Sequence, residues 1–132
     1  RLAPEVSVSA APCPLFVPLA EEGWGDHPIT DQVVETYLRP LLDSGIEAII
    51  LGCTHYPLLK PSLARVAGPG VQLIDSASAV SNAVAERHRG APTGRSGSGR
   101  VVLHLTDASD RFRRITRKIL GTDPEHLEVV DL

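Results

Sequence analysis

Two apolar runs constrain this chain more than any other feature. Residues 46–51 read IEAIIL and residues 71–75 read VQLID. Both are short, and the first is nearly all apolar, as in strands of a parallel sheet covered on both faces. Parallel neighbours need a crossover of a dozen or more residues, usually helical. The intervening residues suit that role. GCTHYP (52–57) is the turn, and Pro57 fits the first position of a helix reaching to about Ala67. A helix is also expected over residues 30–44, where Val33, Val34, Tyr37, Leu38, Leu41 and Leu42 share one face. Pro40 should kink or shorten it, and Gly45 should end it. Residues 76–88 form the next helix.

The ends are less regular. Residues 5–10 alternate like a strand. Residues 11–28, APCPLFVPLAEEGWGDHP, hold four prolines and two glycines around Leu15, Phe16, Val17 and Leu19. That predicts a structured loop lying against the body, with too much proline for a regular helix. Residues 91–99 form a Gly/Ser-rich linker. Beyond it stand a strand (100–106, RVVLHLT), a helix (109–120) striped by Phe112, Ile115, Ile119 and Leu120, and a last strand in LEVVDL. The fold class is therefore α/β, a parallel sheet with crossover helices. Residues 1–90 make one α/β domain, and residues 100–132 a separate strand and helix.

Bulk properties exclude several function classes. The 132 residues suffice for one core. A net charge of −3 gives no general attraction to nucleic acid or anionic membrane. Arg111, Arg113, Arg114, Arg117 and Lys118 make one helix basic, which reads better as a solvated face than as a nucleic-acid surface. No apolar run spans a bilayer, and the first residues carry no signal pattern. Two cysteines make no disulfide framework, so a reduced, cytoplasmic setting is expected. The absence of methionine suggests a processed product or a piece of a longer protein.

The chemistry concentrates in LGCTHYPLL, residues 51–59. Ligands of open α/β sheets bind beyond the carboxyl ends of the strands, where Cys53 to Tyr56 should lie. Gly52 removes a side chain where the backbone turns. Cys53 and His55 are two residues apart, so in extended backbone their side chains lean the same way and a proton could pass between them. Free N–H groups at the following helix start would favour an anion and lower a thiol's pKa. Thr54 offers a hydroxyl and an N–H to a carboxylate. Spacing alone leaves two readings open, since a free cysteine is also among the most buried residue types. A cysteine-hydrolase nucleophile is a third reading. Zinc is not expected, because the C-x-H of this loop has no second ligand pair and Cys13 lacks a C-x-x-C partner. Asp75 and Ser76 end a strand on the same side as Cys53; Ser76 could touch ligand but reads better as a helix N-cap.

LGCTHYPLL resembles the second catalytic-cysteine motif of the glutamate racemases, and CPLFVPLAEEGW (13–24) resembles a second block of that family. The spacing of the blocks and the strand–helix order agree, and the resemblance weakens after Gly90. It implies a cofactor-independent isomerase that interconverts L- and D-glutamate and supplies D-glutamate to peptidoglycan. It implies two pseudo-symmetric α/β domains with substrate between them, and one thiol on each face of the substrate's α-carbon. Carried over residue by residue, Cys53 is one catalytic acid/base, His55 its catalytic assistant, Thr54 a substrate-binding residue and Glu21, rather than Glu22, a substrate-binding acid. The family's first catalytic cysteine lies in an N-terminal half that this sequence does not contain. Cys13, between Pro12 and Pro14, reads as structural. The expected partners are thus glutamate, the missing half, into which residues 100–132 would return, and a second copy in a homodimer. Membrane and nucleic-acid partners are not expected. Aspartate racemases of the same fold typically carry a glutamate where His55 stands. An inactive binding or regulatory domain is the reading from another class.

Overall fold

A computed structural model describes residues 5–90, 102–107, 109–124 and 126–131. The elements run α1 (Phe16–Glu21), α2 (Pro28–Asp43), β1 (Ala48–Leu51), a 3-10 turn (Tyr56–Leu59), α3 (Lys60–Ala67), β2 (Gln72–Asp75), α4 (Ser76–Arg87), β3 (Val102–Leu105), α5 (Asp110–Leu120) and β4 (His126–Val129). Strands β1 and β2 are parallel and in register from Ala48 opposite Gln72 to Leu51 opposite Asp75. Strands β3 and β4 form a second parallel pair, with α5 as their crossover. The α/β class and its parallel pairing are as the apolar runs require.

The core explains why the first pair holds its place. Phe16 and Ala20 of α1, Val34 and Leu38 of α2, Leu51, Leu59 and Leu63 are buried together with Cys13. Phe16 meets Tyr37 and Tyr56 edge-on, with ring centroids 5.5 and 5.1 Å away. Such pairs add to the burial of the ring itself. Helix α2 packs on α3, and Arg65 of α3 ties the two by a two-pronged bond to Asp31 at 2.9 and 3.1 Å, with a further bond to Asp26 at 2.6 Å. That guanidinium holds the Asp31 carboxyl below the usual carboxylate range. Gly25 sits under the 3-10 turn so closely that any Cβ would overlap the Leu58 carbonyl oxygen, and its own carbonyl accepts from buried Ser62 Oγ at 3.1 Å. Only glycine fits there.

Several expectations need correction. Residues 5–10 form no strand; Val6 and Val8 are 60% and 83% exposed. Alternation cannot make a strand without a hydrogen-bonding neighbour, and none of the described residues supplies one. The proline-rich loop contains helix α1. Pro18 is its third residue, where the missing N–H would have had no helical acceptor anyway. Helix α2 starts at Pro28, earlier than expected, with His27 Nδ1 accepting from the Ile29 N–H at 3.2 Å. Pro40 does not end it; Gly45 follows the last turn at φ +78, donating to Leu42 O at 3.0 Å. Among the described residues, sheet β1–β2 is covered on one face only, for Ile50 is 74% exposed. The linker over residues 91–99 and residues 100–101 of the third strand lie outside the described residues.

Candidate functional site

Strands β1 and β2 stop together, and everything chemically distinctive follows within a few residues of that edge. Leu51 is the last residue of β1 and is buried; the chain then turns at Gly52 into Cys53, Thr54 and His55 before the 3-10 turn. The turn is drawn tight by Tyr56 N–H donating to Cys53 O (3.2 Å) and Leu58 N–H to His55 O (3.0 Å). Leu59 then anchors it in the core. No backbone carbonyl among the described residues accepts from the N–H of Thr54 or His55. A cleft of about 370 Å³ opens beyond the strands, lined by Gly52, Cys53, Thr54, Asp75, Ser76 and the side chain of Ile74 among others. A Cβ on Gly52 would meet nothing, so the backbone there faces open space.

Cys53 is half-buried, and its Sγ lies 3.9 Å from His55 Nδ1. The other ring nitrogen, Nε2, lies 3.6 Å from Glu21 Oε1 at the end of α1. Thiol, imidazole and carboxylate therefore stand in line, from the cleft to helix α1. Which ring nitrogen carries the proton is set by the tautomer; a carboxylate at Nε2 favours N–H there and leaves Nδ1 to accept from the thiol. Thr54 is exposed at the cleft, beside Cys53 and away from Glu21. Glu22 is more exposed than Glu21.

Cys13 has a different setting. It is buried, its Sγ–H points to Ala11 O at 3.6 Å, and burial pushes its thiol above the ordinary value. The Tyr56 hydroxyl donates to Cys13 O at 3.3 Å, so the two cysteine segments are joined through one tyrosine. Burial, and then the nearby Cys13 and Cys53, raise the Tyr56 pKa.

The structure gives Asp75 a role, and a partner in Lys60, that spacing did not. Asp75, and not Ser76, caps α4: its Oδ1 accepts from the Ser78 N–H at 2.8 Å. Ser76 has no helix-capping role and lines the cleft. Asp75 also forms an ion pair with Lys60 at the start of α3. The D-x-x-S spacing was a legible cap signal; the lysine partner, fifteen residues away, was not. Trp24 stacks on His27, centroids 5.0 Å apart, at the entrance to α2. Among the described residues, no three His, Cys, Asp or Glu side chains gather as metal ligands, and no helix is long and apolar enough to cross a membrane.

Comparison with known proteins shows what the chain as a whole is similar to. Residues 6–84 match the family model for Asp/Glu/Hydantoin racemase. The glutamate racemase of Syntrophus aciditrophicus is 44% identical over the whole chain, which covers 50% of that protein. The crystal structure of glutamate racemase from Francisella tularensis in complex with D-glutamate superposes with a TM-score of 0.75 at 34% identity, over 97% of this chain and 48% of that one. A Bacillus anthracis glutamate racemase isoform gives a TM-score of 0.77 at 28% identity, over 99% and 49%. The chain spans about half the length of the relatives it matches.

Proposed function

This chain belongs to the Asp/Glu/hydantoin racemase family, and we propose that it is the part of a glutamate racemase that carries one of two catalytic thiols. The observation that carries the proposal is the line from Cys53 Sγ through His55 to Glu21 at the carboxyl edge of β1 and β2. Stereoinversion removes the α-proton on one face and returns a proton on the other. The carbanion between the two steps is near-planar, so acid and base must stand on opposite sides of one carbon. Thiols suit this work because an ordinary pKa of about 8.5 leaves both protonation states within reach near neutral pH.

In this reading Cys53, as thiolate, takes the α-proton and becomes a thiol, while a thiol across the substrate gives its proton to the opposite face and becomes the thiolate. In the reverse direction the roles exchange. His55 accepts the Cys53 proton through Nδ1 to poise the thiolate. Glu21, expected to touch substrate, has a second duty in holding the ring from Nε2. Thr54 binds a substrate carboxylate by its hydroxyl and N–H. No metal or organic cofactor enters the step. The α-proton is weakly acidic, so fixed donors around the carboxylate must supply much of the rate.

The opposing thiol is assigned to the half of the racemase that this sequence does not span. Cys13 does not qualify, being buried under Phe16. Residues 1–90 form the domain of the second cysteine, residues 91–99 the linker, and residues 100–132 return to the other domain. We further assign D-glutamate supply for peptidoglycan in the bacterial cytoplasm, and a homodimeric assembly.

The test is stereoinversion of glutamate by the full-length gene product in deuterated water, followed by polarimetry and by α-proton exchange in NMR. Cys53→Ala should abolish inversion, and unimpaired inversion in that variant would remove Cys53 from the mechanism. Residues 1–132 alone should invert nothing measurable.

A further inference from the structure

Asp75 and Lys60 lie outside the thiol–imidazole–carboxylate line, yet the cleft is built on them. We propose that this ion pair is a positioning device for Cys53, closing the loop of residues 52–59 onto the strand beside its own origin. The inference rests on the racemase reading above.

The topology carries it. The loop begins after Leu51, whose partner across the parallel ladder is Asp75. It ends at Lys60, whose ammonium sits on the Asp75 carboxylate. Both ends of the catalytic loop are therefore fastened to one residue. Asp75 is 4% exposed and lines the same cleft as Cys53 and Thr54. Its Oδ1 is committed to the Ser78 N–H. Its Oδ2 is fully buried, and among the described residues the Lys60 ammonium is the group that faces it. Lys60 also donates to Ser78 Oγ at 3.2 Å, so the ammonium bridges the carboxylate and the helix that it caps.

Its charge state argues against Asp75 as a general acid. The Lys60 ammonium, then the Ser78 donors, hold its carboxyl far below the usual carboxylate range. An acid ionised that firmly has no proton to give near neutral pH. As a helix cap alone Asp75 would need only Oδ1. The buried second oxygen, met by a lysine from the far end of the loop, is what a cap does not require and a loop clasp does.

The pair is tested in the full-length gene product with α-deuterated L- and D-glutamate. In a two-thiol racemase each thiol breaks the C–H bond in one direction only. Loosening the loop displaces Cys53 and leaves the opposing thiol where it was. Lys60→Met should lower kcat about tenfold, an ångström-scale misplacement being worth up to about a hundredfold, with KM nearly unchanged. The primary isotope effect on kcat/KM should rise in the direction where Cys53 is the base and stay near wild type in the other. Lys60→Arg should restore both. Asp75→Asn keeps an acceptor for the cap and removes the charge, so it should reproduce the one-sided isotope effect even if Lys60→Met does not fold. Isotope effects that change equally in both directions, or stay at wild type in both, would overturn the clasp. Full inversion by Cys53→Ala would instead remove Cys53 from the mechanism, and no inversion of glutamate by the wild-type full-length product would overturn the racemase reading, whatever Lys60 shows.

Discussion

Cys13 and Cys53 carry the same side chain into opposite physical settings. Cys13 is 6% exposed, packed with Phe16 and Ala20, and its thiol is pushed up by burial. Cys53 follows a strand end, half-buried at the mouth of a cleft, with an imidazole at 3.9 Å and a carboxylate behind the ring. A thiol does proton chemistry when its thiolate has partners and a substrate has access; it fills space when it has neither. The difference comes from where two helices start. Pro14 and Phe16 turn Cys13 inward at the beginning of α1, while Gly52 and the 3-10 turn leave Cys53 facing the cleft.

The largest expected contrast is in stereoinversion. In the full-length enzyme Cys53→Ala should lower kcat by at least about a thousandfold, the upper range for losing a general acid–base group. Cys13→Ala should leave kcat within about twofold, since the thiol does not line the cleft and alanine keeps the carbonyl that Tyr56 bonds. Comparable losses in both variants, measured by polarimetry on protein of matched circular dichroism, would erase the distinction between the two thiols.

The next contrast lies along the line behind Cys53. His55→Asn removes the proton acceptor and should cost about ten- to a hundredfold in kcat, below the loss at Cys53 because water can take part of the work. Glu21→Gln keeps the shape and removes the charge at Nε2, and should cost only a few-fold. A larger loss at Glu21 than at His55 would mean that the carboxylate meets substrate rather than the ring.

Much of this was legible along the chain, and the failures have physical causes. The strand pair, its crossover and the C-terminal strand–helix–strand follow from local patterns in IEAIIL, VQLID and RVVLHLT. The cysteine–histidine pair follows from spacing at a strand end. Glu21 was expected by resemblance, but its nearness to His55 was not, because thirty-four residues of chain, with a helix and a strand, bring them together. Helix α1 was hidden by Pro18, which is tolerated only in the first turn. Residues 5–10 read as a strand because alternation says nothing about whether a neighbour exists. Gly25 passed unnoticed because its need is a contact with Leu58, far along the chain. Long-range contacts of this kind, like Lys60 on Asp75, leave no local signature.

Alkylation separates the two thiols without kinetics. Iodoacetamide at pH 7.5 should label Cys53 at least about tenfold faster than Cys13, because rate follows thiolate fraction and access together. Tandem mass spectrometry of the digest assigns the sites, and D-glutamate should protect Cys53 alone. Faster labelling of Cys13 would show that its region opens readily and that its burial is not maintained in solution.

The smallest expected effect is on stability, and it belongs to Cys13. Truncation to alanine removes a buried sulfur and should cost about 1–2 kcal/mol in urea unfolding of the full-length protein. The pH dependence is more telling than the size. A thiol whose folded pKa is raised binds its proton more tightly when folded, so its stabilising contribution is intact below the unfolded value of about 8.5 and is lost as pH rises through the folded value. Wild type should therefore lose stability over that window at up to about 1.4 kcal/mol per pH unit from this one group. Tyr56, also raised and bonded to Cys13 O, adds a second decline at higher pH that alanine at 13 leaves in place. The Cys13→Ala difference should thus be greatest at neutral pH and shrink as the solution is made alkaline. A difference that stays constant across the window would show that Cys13 ionises as freely in the fold as out of it.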